Sequence, residues 1–155
     1  MTGDDYPTEL PVDISDGVLM TVEDSSRFPL YGEQAKKDWD STAPKGVGYA
    51  RLGANNRILC TSFGHQMHCL RTLRVALDNP NHPFAMFGHA QHCMNYLRQM
   101  TLCDADLTLE PFDPLQRNFT AEPLGAIHEC KDWNKVYVEL NGNWDDWLKY
   151  LHAQP

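Results

Sequence analysis

No stretch of this 155-residue sequence approaches the ~18 uncharged apolar residues of a membrane span. No charged-then-apolar segment opens it, so no signal segment is read there. Lys and Arg number 13 against 21 Asp and Glu, and they form no cluster. A phosphate-tracking surface needs such a cluster, so nucleic acid is not an expected partner. C-x-x-C spacing is absent too, which argues against the short loops of ordinary structural zinc sites.

What is present fits one globular domain: 42% apolar residues and enough length for a core. Five cysteines stand at 60, 69, 93, 103 and 130. They suit either metal binding or disulfides in an oxidising compartment. The most informative feature is a repeat. His65, His68, Cys69, Leu73 and Arg74 return 24 residues later as His89, His92, Cys93, Leu97 and Arg98. Imidazole and thiol are strong ligands for transition metals, and their repetition points to one site built from two matching helices.

Along the chain, residues 1–17 read as an extended arm, with Asp4, Asp5, Glu9 and Pro11. Residues 18–155 form the metal-binding catalytic domain. Val18–Val22 suits a short strand, 33–39 a short helix, Pro44–Gly48 a turn and Tyr49–Leu52 another strand. Thr61 or Ser62 caps a helix over 62–78, which Asn79–Pro83 stops. Pro83 then suits the first turn of a second helix ending at 103. Glu110–Pro114 precludes a regular element. A helix over 131–139 is expected to break at Asn141-Gly142, with Asn143 capping a last helix that carries Trp144 and Trp147. The predicted fold is therefore a small, mainly α single domain. It is built on an antiparallel helix pair, with long Pro- and Gly-rich connections and at most short strands.

On a helical wheel Cys69 lies about 40° from His65, and His68 about 60° the other way. Thr72 and Ala76 share that arc, while Leu70, Leu73 and Leu77 form a separate stripe. Residues three or four apart stand ~5–6 Å apart at Cβ, so two imidazoles can reach one ion. In a hairpin about Asn81, Cys69 and Cys93 face each other and His92 falls nearly opposite Leu70. All four histidines then lie within about two turns. They can form one tetragonal site or two sites of two histidines; the sequence does not choose.

A zinc clamp joining the helices is the structural alternative. Copper is the better candidate for chemistry, because it prefers tetragonal imidazole nitrogen and cycles between oxidation states. Cys69 and Cys93 are either soft ligands or a disulfide that leaves an all-histidine site. A Cys103–Cys130 bridge would close a Pro-rich loop, leave Cys60 unpaired and hold His128 near the second helix to complete the shell. Asp104, Asp106 and Glu110 read as solvated surface, with an Asp able to orient an imidazole. Tyr96 lies about 20° from His89 and either lines the site or packs. Trp133, Trp144 and Trp147 read as core, and Asn118–Thr120 is a glycosylation sequon.

The two units, with Gly64 and Gly88 before them, closely resemble the UstYa-type family of fungal biosynthetic proteins. So do Tyr96–Gln99, Cys103–Thr108, His128–Trp133, Val18–Ser25 and the Trp39…Pro44–Gly48 stretch. The resemblance covers about 18–135 and implies copper-dependent oxidative tailoring of secondary metabolites, often ribosomally made cyclic peptides. Oxidative cyclisation, hydroxylation, desaturation and halogenation are the implied outcomes. The carried-over positions are His65, His68, Cys69, His89, His92 and Cys93, with His128 and Cys130. Membership also implies a membrane-spanning first segment and a home in the secretory lumen. No such segment is present, so the sequence reads as cut from a longer chain.

The expectation is one or two copper ions on the four histidines, dioxygen as co-substrate, and a peptide or small-molecule substrate. The oligomeric state, homo- or hetero-dimer included, stays open. Two other readings remain: a cyclase or epimerase using histidines as acid and base, and a zinc module that binds a partner.

Overall fold

A computed structural model describes residues 6–110, 113, 115, 116, 118, 121 and 123–154. Asp4 and Asp5 of the expected arm lie outside the described residues, as do Pro111, Phe112 and Pro114 of the expected break and Phe119 and Thr120 of the sequon.

The elements run β1 (Gly17–Glu23), α1 (Gly32–Ser41), a 3-10 turn (Lys45–Gly48), β2 (Tyr49–Leu52), β3 (Arg57–Cys60), α2 (Ser62–Asp78), α3 (Phe87–Cys103), β4 (Leu124–Lys131) and α4 (Trp133–His152). Helices dominate and the strands are short. β1 pairs with β4 antiparallel, setting Met20 opposite His128 and Val18 opposite Cys130. β2 and β3 form a hairpin with Tyr49 opposite Cys60. Sequence reasoning missed β3 and β4. In β4, Gly125, His128 and Glu129 have little strand preference, and pairing with β1 overrides it.

α2 begins where expected, because the Gly64 amide donates to Thr61 Oγ1 at 3.0 Å. Gly64 fits closely there, since a Cβ would stand 3.0 Å from Thr61 Oγ1 and 3.1 Å from the Gly48 carbonyl oxygen. α2 ends before Pro80, as the α-disfavouring effect of a proline on its predecessor demands. The next helix starts later than Pro83, at Phe87. The His82 ring and carbonyl accept from the Phe84 and Ala85 amides, making a turn of those residues instead.

The C-terminal region corrects the expected break. α4 runs unbroken from 133 to 152 through Asn141, Gly142 and Asn143. Its amides serve tertiary contacts. Asn143 Oδ1 accepts from the Arg51 amide at 2.6 Å, and its Nδ2 donates to the Arg51 carbonyl at 2.9 Å. Asn141 accepts from the Lys45 amide at 2.8 Å. The preference of Asn and Gly against helix is worth under ~1 kcal/mol each, and these bonds outweigh it. Gly46, at φ +66°, leaves the space that the Trp144 ring fills. Arg51 lies over the Trp147 ring at 4.3 Å. The two tryptophans thus clamp the 45–51 segment rather than fill a central core.

Ala50, Val136 and Leu140 form the buried centre, and Leu10, Val12, Ile14, Leu52 and Phe63 pack against it. Alternate residues of an extended chain share a face, which is how 10, 12 and 14 reach it together. No helix among the described residues is long and apolar enough to cross a membrane.

Asn143→Ala is expected to lower unfolding stability by about 1–3 kcal/mol although alanine favours helix, because two backbone groups of β2 lose their partners. Gly142→Ala is expected to raise it by about 0.5–1 kcal/mol, since nothing lies near a Cβ there. Denaturant titration of both variants checks the opposite signs.

Candidate metal centre

α2 and α3 pack against each other, and the later a residue stands on α2, the earlier its partner on α3. Ser62 meets Tyr96, His65 meets His92 and His68 meets His89. The facing atoms are Nε2 in both histidine pairs: 3.2 Å apart for His65 and His92, 3.3 Å for His68 and His89. Along each helix the rings are farther apart, 6.2 Å between His65 and His68 and 6.4 Å between His89 and His92, centroid to centroid. His92 therefore faces His65, not Leu70, and the four rings form two facing pairs side by side.

Those separations fit a chelated ion. With metal–imidazole bonds of about 2.0–2.1 Å, nitrogens 3.2–3.3 Å apart subtend about 100–110° at the metal. A hydrogen bond between two neutral imidazoles also fits the distance, but it needs a donor tautomer on one ring and an acceptor on the other. His65, Cys69 and His92 offer three donor atoms within 4.8 Å of one another, and so make the fuller set. His92 is exposed, so the site opens to solvent.

Burial, and then the charges of neighbouring histidines, push the His65 pKa below its usual value. Burial and His89, with Arg71 and the other rings, do the same to His68. Both rings are thereby held neutral, the state that binds metal. Thr72 Oγ1 stands 3.5 Å from His68 Nε2 on the next turn.

Beneath the rings, Cys69 and Cys93 are fully buried. Burial first, then a hydrogen bond with Cys93, raises the Cys69 thiol to about 12. All five cysteines are free thiols. Cys69 on α2 and Cys93 on α3 are both buried free thiols, and Cys103 and Cys130 are not joined. Cys103 is exposed at the end of α3, while Cys130 sits in β4 opposite Val18.

Tyr96 lines the site, its ring 4.0 Å from that of His65. Its hydroxyl is 2.8 Å from Ser62 Oγ. Sequence reasoning considered Ser62 only as a cap. The signal available was its position three residues before His65, on the same side of the helix. His128 has other partners than the shell expected of it: Nδ1 bonds Asp106 at 2.5 Å, and Nε2 lies 3.7 Å from Glu110. None of its contacts reaches the four rings. An Asp does orient an imidazole here, but it is this one.

The repeated Arg serves two different purposes. Arg74 is buried, donates to the Leu30 carbonyl at 2.8 Å and pairs with Asp78, fastening the 28–31 loop to α2. Arg98 is exposed.

The family model described as "Mycotoxin biosynthesis protein UstYa" matches residues 21–141. The chain belongs to the UstYa family. Two curated relatives come from Diaporthe leptostromiformis. "UstYa family oxidase phomYb" is 28% identical over 124 residues, 69% of this chain and 49% of its own length. "UstYa family oxidase phomYd" is 32% identical over 118 residues, 70% of this chain and 37% of its own. The chain thus spans half or less of these relatives. No solved structure matches it. The family inferred from the paired His-x-x-His-Cys units is the family found.

Because the folded state lowers the His65 and His68 pKa, the unfolded chain binds more protons below the usual imidazole value of 6.5. Stability of the metal-free protein is therefore expected to fall with falling pH through that range. Thermal melts between about pH 7 and pH 5 should show it, and a His65→Asn/His68→Asn variant should lose less over the same interval. Equal slopes would contradict the assignment.

Proposed function

We propose that this chain is a copper-dependent oxidase that tailors a peptide or small secondary metabolite. The outcome is oxidative cyclisation, hydroxylation, desaturation or halogenation, with dioxygen as co-substrate. The carrying observation is the facing of Nε2 atoms in two pairs at a metal's bite distance. Family membership and the oxidase names of two relatives support the reaction class. α2 and α3 are read as an antiparallel pair carrying duplicated motifs, on the reversed order of their contacts.

His65 and His92 would hold one ion, with Cys69 behind them as a soft donor once it gives up its proton to the metal, and His68 with His89 a second or the other half of a shared one. Copper suits imidazole nitrogen with one soft donor, and when bound it would supply one-electron exchange with dioxygen for removing hydrogen from a C–H or O–H bond. The rest falls to the chain's own groups. Neutral His65 and His68 present lone pairs without first losing a proton. Tyr96 walls the His65 side, and its Ser62 bond fixes the ring. The buried Cys69–Cys93 contact sets the spacing of the helices, which sets the Nε2 separations. The open side at His92 admits substrate. The home of the protein is taken to be the secretory lumen or a membrane surface, on family membership alone.

Copper-loaded protein should lose bound metal and oxygen-dependent turnover together in His65→Ala/His92→Ala and in His68→Ala/His89→Ala. Elemental analysis and aerobic against anaerobic assays check this. Full activity without metal, or product formed anaerobically with a chelator present, would refute the proposal and favour acid–base catalysis by the histidines.

A further inference from the structure

Away from the imidazoles, a cavity of about 460 Å³ lies between the N-terminal arm, the β2–β3 hairpin and the first turn of α2. That volume is within the range of small-ligand sites, and so is the apolar lining with a few polar groups. Leu10, Val12 and Ile14 supply the arm's wall, Leu52 and Leu59 the hairpin's, and Phe63 the helix's. Two charged residues also line it. The Lys131 backbone pairs with Gly17 of β1, but its exposed side chain has no hydrogen bond or ion pair among the described residues, and neither has that of exposed Glu9. An unpaired cation beside an apolar hollow is complementary to a carboxylate attached to apolar side chains.

Ser62 lines this cavity as well. Its hydroxyl is the group that meets Tyr96, whose ring stands 4.0 Å from that of His65. Ser62 therefore connects the cavity, through Tyr96, to the edge of the histidine cluster. Residues 6–16 of the arm run outside any strand and are held on by Leu10, Val12 and Ile14, so they form a strap across the cavity.

We propose that this cavity binds the C-terminal end of a short apolar peptide. The apolar side chains lie under the strap, the carboxylate meets Lys131, and Glu9 accepts from peptide N–H groups. The binding claim stands on the cavity; its use as the seat for the oxidase's substrate rests on the function proposed above.

The test is calorimetric titration of the metal-free chain with N-acetyl-leucyl-phenylalanine and with its carboxamide. The acid should bind about two- to fivefold more tightly than the amide, the range expected for an ion pair with an exposed lysine. Lys131→Gln should remove that preference, and Lys131→Arg should keep it. Copper content of both variants should equal that of the parent chain, so failure here is distinguishable from failure of the metal assignment. A flat titration with both peptides would overturn the proposal; it is also what results if the chain's own first residues or a second copy fill the cavity. Equal binding of acid and amide, or an unchanged preference in Lys131→Gln, would overturn it too.

Discussion

The site depends on one spatial relation: imidazoles of α2 facing imidazoles of α3 through Nε2 at 3.2 and 3.3 Å. Burial first, and then the neighbouring rings, disfavours a charged imidazole here, and the lowered pKa values of His65 and His68 express that cost. A cation that replaces the protons turns the same crowding into chelation. The spacing of the helices is the variable that matters, and a fully buried thiol stands on each of them beneath the rings. Side chains as small as Cys at 69 and 93 let the helices approach closely enough for the rings above them to meet.

The surrounding structure holds the ends of α2. Thr61 caps its start, Gly64 admits the Gly48 carbonyl, and Arg74 ties the 28–31 loop to its far half. α4 then fixes the 45–51 segment through Asn141, Asn143 and the two tryptophans, and that segment carries Gly48 against Gly64. A chain of specific contacts thus connects α4 to the first turn of the histidine-bearing helix α2. α3 has less support; apart from Cys93 its residues are half-buried or exposed.

Elements whose signals are local were legible in the sequence. Thr61, the apolar periodicity and Asn79-Pro80 bound α2 correctly, and the repeat named the four residues that come together. What stayed hidden depends on distant partners. Asn141-Gly142 is a local stop signal, and it fails because residues 92 to 96 positions away use those amides. β4 is a strand only because β1 lies beside it. His128 looked like a further ligand because only its sequence neighbours were visible; its actual partners, Asp106 and Glu110, follow α3. The exact facing also escaped the wheel. Equal counting from the turn put His92 opposite Leu70, and the shifted register puts it opposite His65.

X-ray absorption at the copper edge of loaded protein tests the central relation most directly. The account predicts a first shell of imidazole nitrogens at about 2 Å with at most one sulfur per ion. A shell of oxygen alone, or one dominated by sulfur, would contradict it.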